Sequence, residues 1–243
     1  MRHYGIIGYP LLHSFSAKYF NEKFATEKIE AEYSLYPVGS GEGLSVIGYR
    51  IQELMNSLDG FNVTLPYKQS IIPFLDRLDE TAEAIGAVNV VYQRVGYNTD
   101  CLGFMDSIQP LLRAYDRQAL VLGTGGASKA VCYGLRKLGV TPTLVSRTPK
   151  EGMLGYDELT DEVMTQHTII VNCTPLGMLP DVDTCPPIPY EKISARHLLF
   201  DCVYNPEETL FLKKGKAHGA TIRNGIEMLY GQAKAAWKIW NAE

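Results

Sequence analysis

What this sequence has little of narrows the reading before any motif is found. No stretch approaches the ~18 uninterrupted apolar residues of a membrane-spanning helix. Positive charge is not in excess: 23 Lys and Arg stand against 27 Asp and Glu, a net charge of −4. That balance gives no electrostatic case for a nucleic acid or an anionic membrane surface as partner. Cysteine is sparse, with five residues at Cys101, Cys132, Cys173, Cys185 and Cys202. None forms a CxxC pair, so neither a zinc site nor a disulfide framework is expected. Scattered free thiols fit a reducing cytosol. No His, Asp or Glu cluster has metal-ligand spacing, so no catalytic metal is expected. There is no internal repeat and no low-complexity linker. The opening run MRHYGIIGYPLLHS is broken by Gly5, Gly8 and Pro10 and does not read as a signal peptide. The expectation is a soluble cytoplasmic protein.

What is present is ordinary globular composition: 243 residues, 46% hydrophobic and 21% charged. At roughly 150 residues per domain, the length suits one large domain or two modest ones. The pattern alternates strands and helices. Strands are expected at Tyr4–Gly8, Glu32–Val38, Gly60–Leu65 and Ala87–Gln93. Helices are expected at Ser16–Lys28, in a stretch ending near Leu58, from Pro66 onward, at Leu78–Ile85 and from near Cys101. Beyond Arg117 the expected strands are Gln118–Leu122, Thr143–Ser146, Thr168–Asn172 and His197–Val203. The helices there are one ended by Gly139, one over Asp157–Gln166, and a last one over Gly225–Trp240. Thr174–Pro189 holds five prolines and reads as an irregular loop. Strands alternating with helices imply parallel βαβ units, an α/β class.

The sharpest local motif follows the Gln118–Leu122 strand: Gly123, Thr124, Gly125, Gly126, Ala127 and Ser128. It stands at a strand end and just before a helix start, where a dinucleotide fold needs it. Gly123 suits the tight turn, and Gly125 lets backbone approach a pyrophosphate. Ser128 replaces the usual third Gly or Ala and is expected to cap the helix. A Gly-rich turn of no function is the competing reading. The next strand ends Ser146, Arg147, Thr148, with no carboxylate for a ribose diol. A hydroxyl and a guanidinium suit a 2′-phosphate, so NADP is expected over NAD. A solvated arginine is the bland alternative.

The first half carries polar residues in odd places. Ser14 and Ser16 flank Phe15. Asn62 and Thr64 alternate along one strand face. Lys68 follows, then Asn89, then Asn98-Thr99-Asp100. Taken singly, Ser16 reads as a helix cap, Lys68 as an exposed charge and Asp100 as the cap of the next helix.

Together these motifs resemble the shikimate dehydrogenase family over essentially the whole chain. The resemblance is carried by Gly8-Tyr-Pro10-Leu-Leu-His13-Ser14-Phe-Ser16 and Gly60-Phe-Asn62-Val-Thr64-Leu-Pro-Tyr-Lys68. Gly86-Ala-Val-Asn89, Asn98-Thr99-Asp100-Cys-Leu-Gly103, Gly123–Ser128 and Ser146-Arg147-Thr148 add to it. Asn172-Cys-Thr174-Pro-Leu-Gly177, Asp201-Cys-Val-Tyr204-Asn-Pro206 and Gly225-Ile-Glu-Met228-Leu-Tyr-Gly-Gln232 complete it. The chain departs from the family at Ala17, Ser146 and Pro175, where proline, asparagine and serine are frequent.

The resemblance implies a small cyclic polyhydroxy carboxylate as substrate. Ser14, Ser16 and Tyr204 would take its carboxylate. Asn62, Thr64, Asn89 and Gln232 would take its ring hydroxyls. Lys68 and Asp100 would be the reactive pair, a lysine ammonium stabilising and protonating the alkoxide that hydride transfer creates. Gly123 to Ser128, Ser146, Arg147, Thr148, Asn172, Thr174, Gly225 and Met228 would hold NADP. His13 reads as a structural hydrogen-bonder. The implied architecture has a substrate domain over 1–101 plus 223–243 and a Rossmann-type domain over 102–222, with the active site in the cleft between them. The expected reaction is reversible NADPH-dependent reduction of 3-dehydroshikimate to shikimate. The expected partner is that small molecule, with no nucleic acid and no membrane, in a monomer or homodimer. The competing readings are a quinate-using paralogue that takes NAD and an NADP-binding regulatory module without turnover. Retention of both Lys68 and Asp100 weighs against the second.

Overall fold

A computed structural model describes residues 1–11, 14–39 and 44–242. The chain divides into two compact units, Met1–Thr99 with Ala233–Glu243, and Asp100–Gln232.

The first unit is built on a six-stranded sheet. Its strands are Arg2–Gly8 (β1), Ala31–Pro37 (β2), Gly60–Val63 (β3), Arg77–Leu78 (β4), Val90–Tyr92 (β5) and Val95–Tyr97 (β6), in the order β2-β1-β3-β5-β6-β4. β1 lies parallel to both β2 and β3, whereas β5 runs antiparallel to β3 and to β6. The helices are Phe15–Glu27 (α1), Leu44–Ser57 (α2) and Glu80–Ile85 (α3). Side chains alternate across a strand, so the two sheet faces bury different cores. Ile7, Phe61, Val63 and Val91 meet Ile47, Ile51 and Leu54 of α2. On the other face Tyr4, Ile6, Tyr33 and Val90 meet Phe20 and Phe24 of α1. The chain's last residues, Ala233, Ala236 and Trp240, join that second cluster.

Two expectations fail in this unit. Pro66 opens no helix: residues 65–70 are turns, followed by a single 3₁₀ turn at Ile72–Phe74. Pro73 has no N–H to donate to the Gln69 carbonyl, so an α-helix from Pro66 cannot propagate past it, and Tyr67 and Ile71 are drawn into the core instead. The single strand expected over Ala87–Gln93 is half of a hairpin, β5–β6. Its turn residues Gln93 and Arg94 both have positive φ, +47° and +62°. Such a turn normally announces itself by Asn-Gly. Here Arg94 reaches the Asp76 carboxylate at 3.0 Å instead.

The second unit holds a five-stranded, wholly parallel sheet. Its strands are Gln118–Leu122 (β7), Thr141–Val145 (β8), Ile169–Asn172 (β9), Leu198–Asp201 (β10) and Thr221–Arg223 (β11), in the order β11-β10-β9-β7-β8. The helices are Asp100–Ile108 (α4), Gly126–Lys137 (α5), Asp161–Gln166 (α6), Leu210–Ala217 (α7) and the first part of Ile226–Trp240 (α8). The strands are apolar on both faces because helices cover both, as parallel sheets require. Tyr156–Glu158 forms only a 3₁₀ turn, so the helix expected over Asp157–Gln166 starts late. α7 and β11 have no counterpart among the elements expected from sequence. Thr174–Pro189 has no helix or strand. No helix among the described residues is long and apolar enough to cross a membrane.

Candidate active site

In the first unit, Asn62, Asn89 and Thr99 form one buried hydrogen-bonded layer. Phe61 and Val63 of β3 face the α2 core, so Asn62 between them must face the other way. There its side-chain oxygen accepts from the Tyr33 hydroxyl at 2.7 Å, and its Nδ2 donates to the Asn89 carbonyl at 3.1 Å. Asn89 is buried just before β5. Its Oδ1 accepts from the Thr99 N–H at 2.8 Å, and its Nδ2 donates to the Thr99 hydroxyl at 3.0 Å. Asn98 donates to the Ala87 carbonyl at 2.9 Å. Buried amides must be paired, and these are paired to one another and to backbone. Tyr33 was not among the residues singled out from sequence, since a tyrosine in an alternating strand reads as plain core.

Ser14 takes the N-cap position of α1, although its side chain makes no capping bond. Ser16 therefore lies inside the helix, buried, and is not the cap. Thr64 follows β3 directly, its N–H bonded to the Ile7 carbonyl at 2.9 Å. Gly8 on the adjacent strand accommodates it, because a Cβ at Gly8 would collide with the Thr64 methyl. Lys68 sits half-buried in the turn after β3, and its carbonyl accepts from Val88 N–H at 2.7 Å. This is more enclosed than an ordinary solvated lysine. His13 lies outside the described residues.

In the second unit, Asp100 is buried as the first residue of α4, where an acidic side chain complements the helix dipole. It is therefore inside the helix and not its cap. Gln232 is buried on α8 and donates to the Leu229 carbonyl at 3.0 Å. Its helix runs against α4 at backbone contact through Gly103 and Gly231. Tyr204 follows β10, half-buried, and burial raises its phenol pKa.

The glycine-rich turn stands at the carboxyl end of β7. Strand order reverses between β7 and β9, and ligands of open α/β sheets bind at such a switch point. Gly123 has φ +104°, a conformation that only glycine adopts without strain. Gly125 has ordinary extended backbone, and a Cβ there would meet no protein atom within 4 Å. Neither packing nor conformation requires glycine at 125. The space above it is the kind of cradle that close approach of a pyrophosphate needs, so these residues fit a dinucleotide. Gly126 and Ala127 begin α5 behind an exposed Thr124. The capping role expected of Ser128 is not observed. Gly125 is the N-cap, and Ser128, buried in the helix, donates back to the Gly125 carbonyl at 2.7 Å. Ser146, Arg147 and Thr148 follow β8, the neighbour of β7, with Arg147 and Thr148 exposed. The Ser146 hydroxyl accepts from the Thr148 N–H at 3.2 Å, which holds the strand end in a turn.

The loop after β9 is fixed by a buried carboxylate that the sequence reading did not single out. Asn172 ends β9 and accepts from the Thr174 N–H at 3.0 Å and its hydroxyl at 2.7 Å. Its Nδ2 donates to Asp201 at 3.0 Å, and Asp201 also accepts from Val203 N–H at 2.9 Å and from the Thr209 hydroxyl. Thr174 in turn packs against Gly123. Burial pushes the Asp201 carboxyl up to about 6, against the pull of its three donors. Gly225 packs on the Cys202 backbone, and Met228 is buried in the core with Phe104 and Phe200. Among the described residues, no group of His, Cys, Asp and Glu could hold a metal ion.

Known proteins resemble this chain over nearly its whole length. The family model described as the shikimate dehydrogenase substrate binding domain matches residues 6–91. The shikimate dehydrogenase (NADP(+)) of Clostridium beijerinckii is 41% identical, with 99% of this chain and 92% of that protein covered. The one from Methanosphaera stadtmanae is 35% identical, with 98% and 91% covered. Among solved structures, shikimate dehydrogenase of Aquifex aeolicus has a TM-score of 0.87 at 34% identity, with 100% and 93% covered. The Thermus thermophilus enzyme, solved in complex with NADP(H) and shikimate, also has a TM-score of 0.87, at 29% identity with 100% and 94% covered. With relatives this similar over nearly its full length, the chain belongs to the shikimate dehydrogenase family.

Proposed function

We propose that this protein catalyses the reversible NADPH-dependent reduction of 3-dehydroshikimate to shikimate. The observation that carries the reading is the buried layer of Asn62, Asn89 and Thr99. A sheet face that only needed to pack would be apolar, whereas here a mutually hydrogen-bonded layer of amides and hydroxyls is fixed in place, the kind of convergent polar set that a small polyhydroxy ligand needs. Ser14, Ser16 and Tyr204 supply hydroxyls for the substrate carboxylate. Asn62, Thr64, Asn89 and Gln232 supply the mixed donors and acceptors that ring hydroxyls need. Gly123 to Ser128, with Asn172, Thr174, Gly225 and Met228, form the cofactor set, and Ser146, Arg147 and Thr148 take the 2′-phosphate.

Bound NADPH supplies the hydride. Lys68 holds its ammonium at the substrate carbonyl, stabilises the alkoxide as it forms and gives it a proton. In the oxidation direction the same nitrogen takes the proton back. Asp100 directs Lys68 and balances its charge. Residues 1–99 with the end of α8 act as the substrate-binding domain and the parallel-sheet unit as the NADP domain. The protein works as a monomer or homodimer in the cytoplasm, without nucleic acid or membrane partners.

The test is reduced-cofactor formation in four mixtures, shikimate or quinate with NADP or NAD. Fast turnover with shikimate and NADP alone is expected. Equal turnover with quinate or NAD overturns the specificity assigned to the substrate layer or to Arg147. Silence in all four, with NADP still binding, overturns the enzymatic reading.

A further inference from the structure

The residue that sets the Asn62 amide has no place in the functional set above. Tyr33 is buried on β2, the edge strand of the first unit's sheet. An edge strand leaves backbone groups unpaired, and here Asn21 of α1 closes that gap. Its Oδ1 accepts from the Tyr33 N–H and its Nδ2 donates to the Tyr33 carbonyl, both at 2.9 Å. The Tyr33 ring is stacked on Phe20, with centroids 4.9 Å apart and planes 14° from parallel. Backbone and ring are thus both held, and the hydroxyl is delivered to one point, 2.7 Å from Asn62 Oδ1.

Proton counting then fixes the direction of each bond. A phenol has one proton, and an amide oxygen only accepts, so Tyr33 donates to Asn62. The Asn62 amide cannot turn over. Turned, its NH₂ would face Tyr33 and its oxygen would face the Asn89 carbonyl, which lies 3.1 Å from the present Nδ2. The amide is locked with its nitrogen, and that nitrogen's second N–H, available as a donor.

We propose that Tyr33 is a positioning residue, which acts through Asn62 by fixing that amide as a hydrogen-bond donor to a substrate oxygen. The inference rests on Asn62 belonging to the substrate site. The experiment is a double-mutant cycle on the full-length protein with Tyr33→Phe, Asn62→Ala and the pair, reading kcat and KM for shikimate and for NADP. Tyr33→Phe is expected to raise KM for shikimate about tenfold and leave KM for NADP unchanged. If Tyr33 acts through Asn62, the double variant is no worse than Asn62→Ala within about twofold. Effects that multiply, or wild-type KM in Tyr33→Phe, overturn the proposal. Phe24→Leu, in the same buried cluster but with its ring against Tyr4, Phe20 and Trp237 and not against Tyr33, is the packing control, expected to lower Tm but keep KM within twofold. A KM rise there equal to that of Tyr33→Phe marks general loosening and also overturns it. Asn62→Asp retains the acceptor for Tyr33 but removes the donor. It is expected to lose shikimate as fully as Asn62→Ala, and wild-type binding by Asn62→Asp refutes the donor assignment even if Tyr33→Phe fails to fold. An unchanged KM in Asn62→Ala, by contrast, removes Asn62 from the substrate site and defeats the functional reading itself.

Discussion

Replacing Gly103 by alanine sets two physical effects against each other. Gly103 sits within α4, and alanine is the better helix former there by about 1 kcal/mol. Propensity alone therefore predicts a stabilised protein. Packing predicts the reverse. A Cβ on Gly103 would overlap the Met228 carbonyl oxygen and come within 2.8 Å of the Gln232 nitrogen. Both are backbone atoms of α8, so no side chain can swing aside. The helix must retreat by roughly 1 Å, and overpacking of this kind costs about 1–3 kcal/mol or more. The net expectation is a loss of about 1 kcal/mol, or roughly 2–4 °C in Tm for a chain of this size. Gln232 moves with α8, and if it holds substrate as proposed, a shift of about 1 Å is worth about 100-fold in kcat/KM. Thermal unfolding and steady-state kinetics with shikimate read the two effects separately. Leu102→Ala, at an exposed neighbour on the same helix, is the control and should change little. A Gly103→Ala protein with unchanged Tm and unchanged kcat/KM would refute the steric argument.

Three other outcomes follow from the site. Lys68→Ala should lower kcat by about 10²- to 10⁴-fold with little change in KM for shikimate, and an unchanged kcat would remove Lys68 from the proton transfer. Arg147→Ala should raise KM for NADP about 10- to 100-fold while leaving NAD untouched, and the difference should shrink in high salt. Asp201 couples folding to protons. Its carboxyl is raised from 3.8 to about 6 in the folded protein. The folded state thus holds the proton more tightly than the unfolded one. The stability gained is fully present below pH 3.8 and is lost as pH rises through about 6. The gap corresponds to about 3 kcal/mol. Asp201→Asn should flatten that part of the stability–pH curve, measured by urea unfolding between about pH 4 and 7. A slope identical to wild type would show that Asp201 titrates normally.

The glycine-rich turn between β7 and α5 was legible because its signal is local. Gly123 and Gly125 stand at a strand-to-helix junction whose meaning lies in consecutive residues, and the structure adds only that Gly125 is open above. The Pro66 helix was misread because a favourable first position says nothing about how far a helix can propagate, and Pro73 lies too close. The β5–β6 turn was missed because Gln93 and Arg94 lack the usual turn chemistry and owe their conformation to surrounding structure. Ser128 was misassigned because the N-cap shifted by three residues to Gly125.

Composition, the alternation of strand and helix, and the order of the motifs determined the α/β class and the family by themselves. Those signals are properties of neighbouring residues, and neighbours in sequence stay neighbours in any fold. Only the tertiary structure decided which distant groups share a proton or a van der Waals surface. It set Tyr33 against Asn62, Asn172 against Asp201 and Gly103 against the backbone of α8. Each pairing depends on sheet register or helix approach, which no single segment encodes. The motifs were therefore readable as runs of neighbouring residues, whereas the residues that hold their side chains in place became visible only once the chain was folded.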